Sequence, residues 1–397
     1  MPQCTVKAVY AGERFPDAFE RSLFLAGPSP RDPCDADTHR YWRLEALQSL
    51  RDRGYEGVVY VPLPRDRQCG GDFDLDAQAS WEQDAMARSD VILFWVPRDL
   101  ATLPGFTTNV EFGLHVKGRK VVLGHPEGAP KTRYLDWLAD CNYVERVTSL
   151  EDAVEVALRL VGEGALREGG ECQVPLYLWR TKTFAQWMQA QKAAGNRLDG
   201  CSVELTFGVG PRKAFLLYWA AHVDLYVAAE GRNKTNELVV SRPDIMHVVA
   251  YWRAPNLLES EIVLVREFRS TASIGDCMVR EVPGGSSAKN DSPEQAAADE
   301  LFEEAGFRPD PARVHLLCVR QVAATTTAHR AHVYAVEMTE EEWTQMRDKA
   351  HANARHGNEE ESEQTFVEIH TLRELLGNPT TDWANLGMVA HALFQDP

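Results

Sequence analysis

Three glutamates in one short segment of the chain could bind a divalent metal ion. Glu300, Glu303 and Glu304 fall within about one turn of a predicted helix, where like charges repel each other by roughly a few tenths of a kcal/mol. A bound cation would offset this repulsion, and carboxylate oxygens suit Mg²⁺ or Mn²⁺. The alternative is a solvent-exposed acidic helix face, which is what most acidic clusters are.

The ends of this helix are marked in the sequence. Ser292 can cap its start, Pro293 fits the first helical position, and Gln295 completes the spacing of a capping box. Gly306 then ends the helix. The pattern therefore predicts a helix over Pro293–Ala305 that presents the three glutamates near its C-terminal end.

The surrounding segment, Glu281–Phe307, resembles the Nudix box, G-x5-E-x7-R-E-U-x-E-E-x-G-U, in which U is a bulky apolar residue. Asp291 stands where Glu is usual, and Asp299 stands where an arginine normally orients the metal-binding glutamates. The resemblance implies Mg²⁺-dependent hydrolysis of a nucleoside-diphosphate derivative, while Asp299 puts the geometry or the rate in question. The agreeing positions are Gly285, Glu300, Leu301, Glu303, Glu304, Gly306 and Phe307.

Flanking segments look like the ADP-ribose pyrophosphatases among the Nudix proteins. Leu264–Ser270 (LVREFRS) followed by EVPGG is similar to their approach strand and entry loop, and Gly357–Ile369 is similar to the acidic loop that supplies their general base. The resemblance points to Glu361 or Glu363 as that base, with Glu363 favoured. A flexible acidic loop is the alternative. Arg269 is a candidate partner for a phosphate or a carboxylate, as is Arg280.

A second set of candidate residues lies in the first third of the chain, in three segments. Phe24–Arg31 (FLAGPSPR) is a predicted strand that runs into a Gly-Pro turn, Trp81–Pro97 is a helix followed by a strand, and Thr107–Gly113 (TTNVEFG) opens another helix. Ligands of doubly wound sheets bind at the carboxyl ends of the strands, so these segments should meet there. Glu111 could instead simply cap its helix, because Thr108 and Glu111 have capping-box spacing.

These segments resemble the nucleoside 2-deoxyribosyltransferase-like family over about Ser22–Leu135. The resemblance implies that Glu111 attacks the anomeric carbon of a nucleoside and that Glu82 is the acid that contacts the base. Trp81 and Asn109 would shape the pocket. Gly105 and Phe106 stand where many members carry a further acid, which leaves base activation open.

The turn after the first of these segments is a candidate phosphate site. Gly27 would let the backbone approach the substrate closely, and Ser29, Arg31 and Arg43 could bind a 5′-phosphate. The substrate would then be a nucleotide and the acceptor would be water.

The order of predicted elements indicates two domains. Strands alternate with helices at first, which predicts an α/β domain, residues 1–165, with a doubly wound parallel sheet of the flavodoxin or Rossmann type. The Gly-rich segment 162–170 is the predicted linker. Runs of strands with few helices then predict an α+β domain, residues 166–397, with a Nudix fold. The predicted strands are Ser22–Ala26, Gly57–Pro62, Asp90–Val96, Lys120–Leu123, Asn142–Glu145, Val203–Phe207, Phe215–Ala220, Leu225–Ala228, Glu237–Val240, Met246–Trp252 and Glu261–Arg266; besides Pro293–Ala305, the predicted helices are Arg40–Arg53, Asp76–Arg88, Thr108–Lys117, Ser149–Val161, Glu340–Asn353 and Trp383–Phe394.

The composition disfavours some classes of binding partner. The formal net charge is −17 over 397 residues, which disfavours binding to duplex nucleic acid. The sequence contains neither an apolar stretch long enough to span a membrane nor a signal-peptide core, and its eight cysteines form no CxxC pair. We therefore expect a cytoplasmic protein that acts on small nucleosides or nucleotides. Nudix proteins of this subtype are often dimers, which leaves a homodimer open.

Three functional hypotheses follow. The first is a bifunctional enzyme that breaks or exchanges an N-glycosidic bond in one domain and hydrolyses a diphosphate in the other. The second is an NAD glycohydrolase whose product, ADP-ribose, is the substrate of the second domain. The third is a ligand sensor, in which Asp299 marks a Nudix domain that binds without cleaving and regulates the first domain.

Overall fold

The computed structural model describes residues 6–29, 41–65, 74–286, 292–353, 355–357 and 364–395. The chain forms two compact units, Met1–Val240 and Ser241–Pro397. Among the described helices, none combines the length and the apolar character needed to cross a membrane.

The first unit contains a six-stranded sheet in which every neighbouring pair of strands is parallel. This confirms the predicted parallel sheet and adds a first strand that was not predicted. The predicted edge strand at Asn142–Glu145 lies slightly later, at Arg146–Val147. The strands are β1 (Val6–Tyr10), β3 (Ser22–Ala26), β4 (Gly57–Val61), β5 (Val91–Trp95), β6 (Val121–Gly124) and β7 (Arg146–Val147), in the order β1-β4-β3-β5-β6-β7; β2 (Ala18–Phe19) forms a separate pair with β8 (Arg167–Glu168).

Helices cover both faces of this sheet. All five residues of β3 are buried, as expected for a strand between two helical layers. Because side chains alternate along a strand, Leu23 and Leu25 pack into one core, and Phe24 and Ala26 pack into the other. The first core includes residues of α1 (Tyr41–Asp52) and α5 (Leu150–Val161); the second includes residues of α2 (Leu75–Arg88), α3 (Phe106–His115) and α4 (Arg133–Cys141).

The segment 162–170, predicted to be a linker, lies inside the first unit. Arg167 in this segment is fully buried, and its two terminal nitrogens each lie 2.7 Å from an oxygen of the Asp90 carboxylate. The same carboxylate accepts hydrogen bonds from the backbone N–H groups of Ser22 and Leu176. The glycine-rich composition of this segment gave no indication of the buried ion pair. The boundary between the compact units accordingly lies at 240/241, whereas the domains were predicted to meet at 165/166.

The rest of the first unit is a three-stranded antiparallel sheet with two helices. Its core contains Phe184 and Trp219, and the Trp219 indole donates a hydrogen bond to Thr183. One strand, Phe215–Val227, spans two strands predicted separately; it continues through polar His222 and Asp224 with local register shifts. The elements are α6 (Leu176–Trp179), α7 (Lys182–Ala193), β9 (Arg197–Val209), β10 (Phe215–Val227) and β11 (Arg232–Ser241).

The second unit is a mixed eight-stranded sheet with helices on both faces. The predicted helices Pro293–Ala305 and Trp383–Phe394 are confirmed, and Glu340–His351 closely matches a third. The strands are β12 (Ile245–Trp252), β13 (Glu261–Phe268), β14 (Met278–Glu281), β15 (Gly284–Gly285), β16 (His315–Gln321), β17 (Arg330–Glu337), β18 (Arg355–His356) and β19 (Thr365–Thr371); the helices are α8 (Pro293–Ala305), α9 (Glu340–His351), α10 (Leu372–Gly377) and α11 (Trp383–Phe394).

The buried ion pair gives a stability prediction. We expect Arg167→Met to lower the free energy of unfolding by about 3–5 kcal/mol, because the Asp90 carboxylate would stay buried without its counter-charge. Urea denaturation of the full chain measures the loss. The matched control is Arg14→Met, which breaks the exposed Arg14–Asp17 pair and should change stability little. Equal effects of the two substitutions would contradict a main stabilising role for the buried pair.

Candidate functional site

The first candidate site lies at the carboxyl edge of the parallel sheet. After β3 the chain passes outward to β4, and it then returns to the other side of β3 to form β5. The carboxyl ends of β3 and β5 are therefore adjacent and their following segments diverge, which is the usual position of a ligand in an open α/β sheet. Gly27 directly follows β3, and α3 is the next helix after β5.

Close packing requires glycine at position 27. A Cβ atom there would lie 2.1 Å from the carbonyl oxygen of Trp95 and 2.8 Å from the Trp42 ring. Gly27 therefore lets the turn lie directly against the end of β5. Ser29, two residues later, is exposed at the edge of this turn. Arg31, predicted to bind phosphate, lies outside the described residues.

Arg43 fixes the end of β3 and the turn that follows it through hydrogen bonds to backbone carbonyls. Its buried guanidinium donates hydrogen bonds to the carbonyl oxygens of Gly27 at 2.7 Å, Pro28 at 3.2 Å and Leu25 at 3.3 Å. It also stacks on the Trp42 ring, with 4.3 Å between its central carbon and the ring centroid. Arg43 was predicted to contact a phosphate directly, but these contacts make it a residue that positions the turn.

Glu111 does not cap its helix. Helix α3 begins at Phe106, two residues earlier than predicted, and its N-cap is Gly105 in a left-handed conformation with φ 60°. No side chain caps this end, so the capping box between Thr108 and Glu111 is wrong. Because the helix starts earlier, Glu111 lies in its second turn, where the carboxylate is not needed by the backbone N–H groups of the first turn.

Glu111, Glu82 and Arg43 lie close enough for their charges to affect one another. The pKa of Glu111 is raised to about 7, mainly by burial and also by the charge of Glu82, while the charge of Arg43 opposes the rise. Burial also raises the pKa of Glu82, while a hydrogen bond from Gln78 at 2.5 Å and the charge of Arg43 oppose the rise. Two partly buried carboxyl groups beside one arginine are an arrangement suited to acid–base or nucleophilic chemistry.

Two other predicted residues have structural partners. Trp81 packs into the core, stacks on Phe15 at 5.4 Å between centroids, and donates a hydrogen bond to the carbonyl of Glu13. The side chain of Asn109 accepts a hydrogen bond from Arg98 at 2.5 Å. These contacts show how each side chain is held, and the proposed roles of both in shaping a pocket stay predictions.

Two residues with no predicted role, Arg98 and Gln78, hold parts of this site in place. Arg98 donates hydrogen bonds to the carbonyls of Gly105 and Lys131 and to the side chain of Asn109. It therefore fixes the segment that leads into α3. Gln78 lies one helical turn before Glu82. This i, i+4 spacing on a predicted helix was the available signal for Gln78. For Arg98 the signal was its place directly after a strand, in the Pro97-Arg98 pair of the segments that resemble the deoxyribosyltransferase-like family.

In the second unit, two of the three clustered glutamates contact a glycine pair. A Cβ atom on Gly285 would lie 1.6 Å from Oε1 of Glu300, so only glycine leaves room for this carboxylate. The N–H of Gly284 donates a hydrogen bond to Glu304 at 2.9 Å. Glu303, on the same helix, is exposed. The pattern G-G followed by E-x-x-E-E thus places Glu300 and Glu304 beside one loop.

Arg269 and Asp299 both pair with residues other than these glutamates. Arg269 lies 2.6 Å from the carboxylate of Glu281 and 3.0 Å from that of Glu267, and the negative charge of Glu304 contributes to its raised pKa. Arg269 is thus a carboxylate partner, one of its two predicted roles. Asp299 forms an ion pair with Arg308 at 2.8 Å, so it is neutralised at the position where the Nudix pattern has arginine.

The chemistry of Glu300, Glu303 and Glu304 suits Mg²⁺ or Mn²⁺, since all three offer carboxylate oxygens. Within the ranges that the structure describes, no group of three or more His, Cys, Asp or Glu side chains is placed to hold a metal ion. The candidate bases Glu361 and Glu363 lie outside those ranges, as does Asp291. The metal and the general base therefore stay predictions.

Comparison with known proteins does not assign the chain to a family. No protein-family model matches the chain, and no curated protein has significant similarity to it.

The raised pKa of Glu111 predicts a pH-dependent stability difference. The folded-state pKa is about 7 and the ordinary value is 4.5, so wild type should lose stability as pH rises from about 4.5 to 7 and the unfolded chain ionises first. Glu111→Gln removes this loss. We expect its melting temperature to equal that of wild type near pH 4.5 and to exceed it at pH 8. Glu45→Gln, on an exposed position of α1, is the control. A constant difference across this range would show that Glu111 ionises normally.

Proposed function

We propose that the first unit cleaves the N-glycosidic bond of a nucleoside or nucleotide, with Glu111 as nucleophile and Glu82 as the acid that contacts the base. The observation that supports this most is the shared environment of Glu111, Glu82 and Arg43 at the carboxyl edge of the sheet. The likeness of the flanking segments to nucleoside 2-deoxyribosyltransferases supplies the reaction class.

The proposed reaction has two steps. The ionised carboxylate of Glu111 attacks the anomeric carbon while the N-glycosidic bond breaks, and Glu82 donates a proton to the departing base. Water or a second base then attacks the same carbon, gives its proton to the Glu82 carboxylate and releases the Glu111 carboxylate. Because the pKa of Glu111 is about 7, both the protonated and the ionised forms are populated near neutral pH. Positive charge that develops on the sugar favours the ionised form further.

Arg43 and Gly27 position the site in this proposal. Arg43 holds the carbonyls of the turn, so that the exposed edge at Ser29 faces the substrate. Its charge also limits the rise in pKa of both carboxyl groups. A phosphate on the substrate would bind to the turn itself, while Arg43 remains hydrogen-bonded beneath it.

Glu111→Gln tests this function directly. We expect base release to fall by at least about a thousandfold, on the order of 4 kcal/mol of transition-state stabilisation, because an amide is a far poorer nucleophile than a carboxylate. Deoxynucleosides, nucleoside 5′-monophosphates and NAD are the substrates to compare, with both products identified by chromatography. Nicotinamide release alone would favour the NAD glycohydrolase alternative. Near wild-type base release by Glu111→Gln, with Glu45→Gln as control, would remove Glu111 from the mechanism.

A second candidate function belongs to the second unit. We propose that it hydrolyses a nucleoside-diphosphate derivative such as ADP-ribose, because Glu300 and Glu304 meet the Gly284–Gly285 pair in the order of the Nudix pattern. Glu300, Glu303 and Glu304 would hold Mg²⁺, which when bound neutralises the diphosphate and activates water. The sensor alternative would keep binding without hydrolysis.

Glu304→Gln separates these outcomes. We expect it to abolish Mg²⁺-dependent hydrolysis of ADP-ribose, since a ligand charge is lost, and to leave the fold intact, since an amide oxygen can still accept the Gly284 N–H. Glu294→Gln, at the start of the same helix, is the matched control. Full activity of Glu304→Gln at saturating substrate would contradict the metal assignment. Binding of ADP-ribose by wild type without hydrolysis would favour the sensor.

A further inference from the structure

A basic cavity of about 430 Å³ lies in the first unit, lined by the segment after α3, the segment between α4 and β7, helix α5, the end of β9 and the turn between β9 and β10. Its lining residues do not include Glu111, Glu82 or Arg43. The volume lies within the range typical of small-molecule sites.

Cationic side chains dominate the lining. Lys117, Arg119, Arg159, Arg212 and Lys213 all line the cavity, in a chain whose net charge is −17. The one carboxylate in the lining belongs to Glu145, which pairs with Arg159. Gathering like charges is unfavourable unless an anion compensates for them. The cavity is therefore a local positive site on an acidic protein.

Three of these cations, the side chains of Lys117, Arg212 and Lys213, have no polar partner among the described residues. Arg119 donates to the carbonyl of Ala214, which fixes its position at the edge of the same turn. A Cβ atom on Gly208 would lie 2.5 Å from Nη1 of Arg119, so glycine leaves the space that the guanidinium needs.

Backbone strain is concentrated at this cavity. Arg119, Tyr143, Arg212 and Lys213 have φ angles of 61°, 58°, 53° and 52°, in the left-handed region that non-glycine residues rarely adopt. Seven non-glycine residues of the described chain have positive φ, so four of them line one cavity. Strained residues persist where the surrounding structure holds them, and they are common at binding sites.

Two aromatic rings complete the lining. Tyr143 is 55% exposed and Phe207 is 52% exposed, and both border the same cavity as the cations. Exposed rings of this kind can stack against a planar base, while the guanidinium and ammonium groups bind phosphate oxygens. We propose that this cavity is a second ligand site, separate from the Glu111 site, and that it binds a nucleotide with at least two phosphate groups. The proposal does not depend on either catalytic function.

ADP is the probe that tests the site, with pyrophosphate for comparison. Titration calorimetry of the full chain in EDTA keeps divalent metal out of the second unit. We expect ADP to bind and the double variant Arg212→Gln/Lys213→Gln to lose one equivalent of binding or to weaken it at least about tenfold. Arg51→Gln/Arg53→Gln removes two exposed charges at the end of α1 and directly after it, and should change the affinity less than about twofold. Failure of wild type to bind ADP, or equal effects of the two double variants, would overturn the proposal.

Two single variants make the test specific. Phe207→Leu should weaken ADP binding several-fold and leave pyrophosphate binding unchanged, because only ADP has a base to stack; equal loss of both ligands would overturn the nucleotide assignment. Glu111→Gln should leave this equivalent of ADP binding intact. Its loss in that variant would place the ligand in the Glu111 site and overturn the separate cavity. Melting temperatures of all variants show that each one is folded.

Discussion

The buried Asp90–Arg167 pair is the interaction on which the first unit most depends. Asp90 immediately precedes the central strand β5, and its carboxylate binds Arg167 as well as the backbone of Ser22 and Leu176. One charged group thereby joins two neighbouring parallel strands, the 162–170 segment and the start of the helical part that follows. Removal of a partner leaves a charge in a medium of low dielectric constant, so the arrangement is strongly coupled.

The candidate catalytic site depends on a second buried cation at the other end of the same strands. Arg43 binds one carbonyl of β3 and two of the turn that follows it, and its charge affects both Glu82 and Glu111. Gly27 makes the close approach to Trp95 possible. The position of the turn and the ionisation of the two carboxyl groups are therefore linked, and a change at Arg43 would alter both.

The pKa values of the carboxyl groups at the first candidate site and of Glu368 in the second unit are shifted in opposite directions. In the first, burial raises the pKa of two carboxyl groups beside an arginine. In the second, burial alone would raise the pKa of Glu368, but hydrogen bonds from His370 and Arg280 lower it to about 2. Asp299 is likewise paired, with Arg308.

The sequence by itself determined the parallel sheet, most helix positions and the acidic helix Pro293–Ala305, because buried strands, helix caps and glycine stops are local patterns. It also singled out Glu111 and Glu82. The tertiary structure decided that Gly105 rather than Thr108 is the N-cap of α3, that Arg43 binds backbone carbonyls, and that Arg167 in the segment 162–170 is buried against Asp90. Each of these depends on partners distant in sequence, and so does the pKa of Glu111, because burial and neighbouring charges exist only after the strands have assembled.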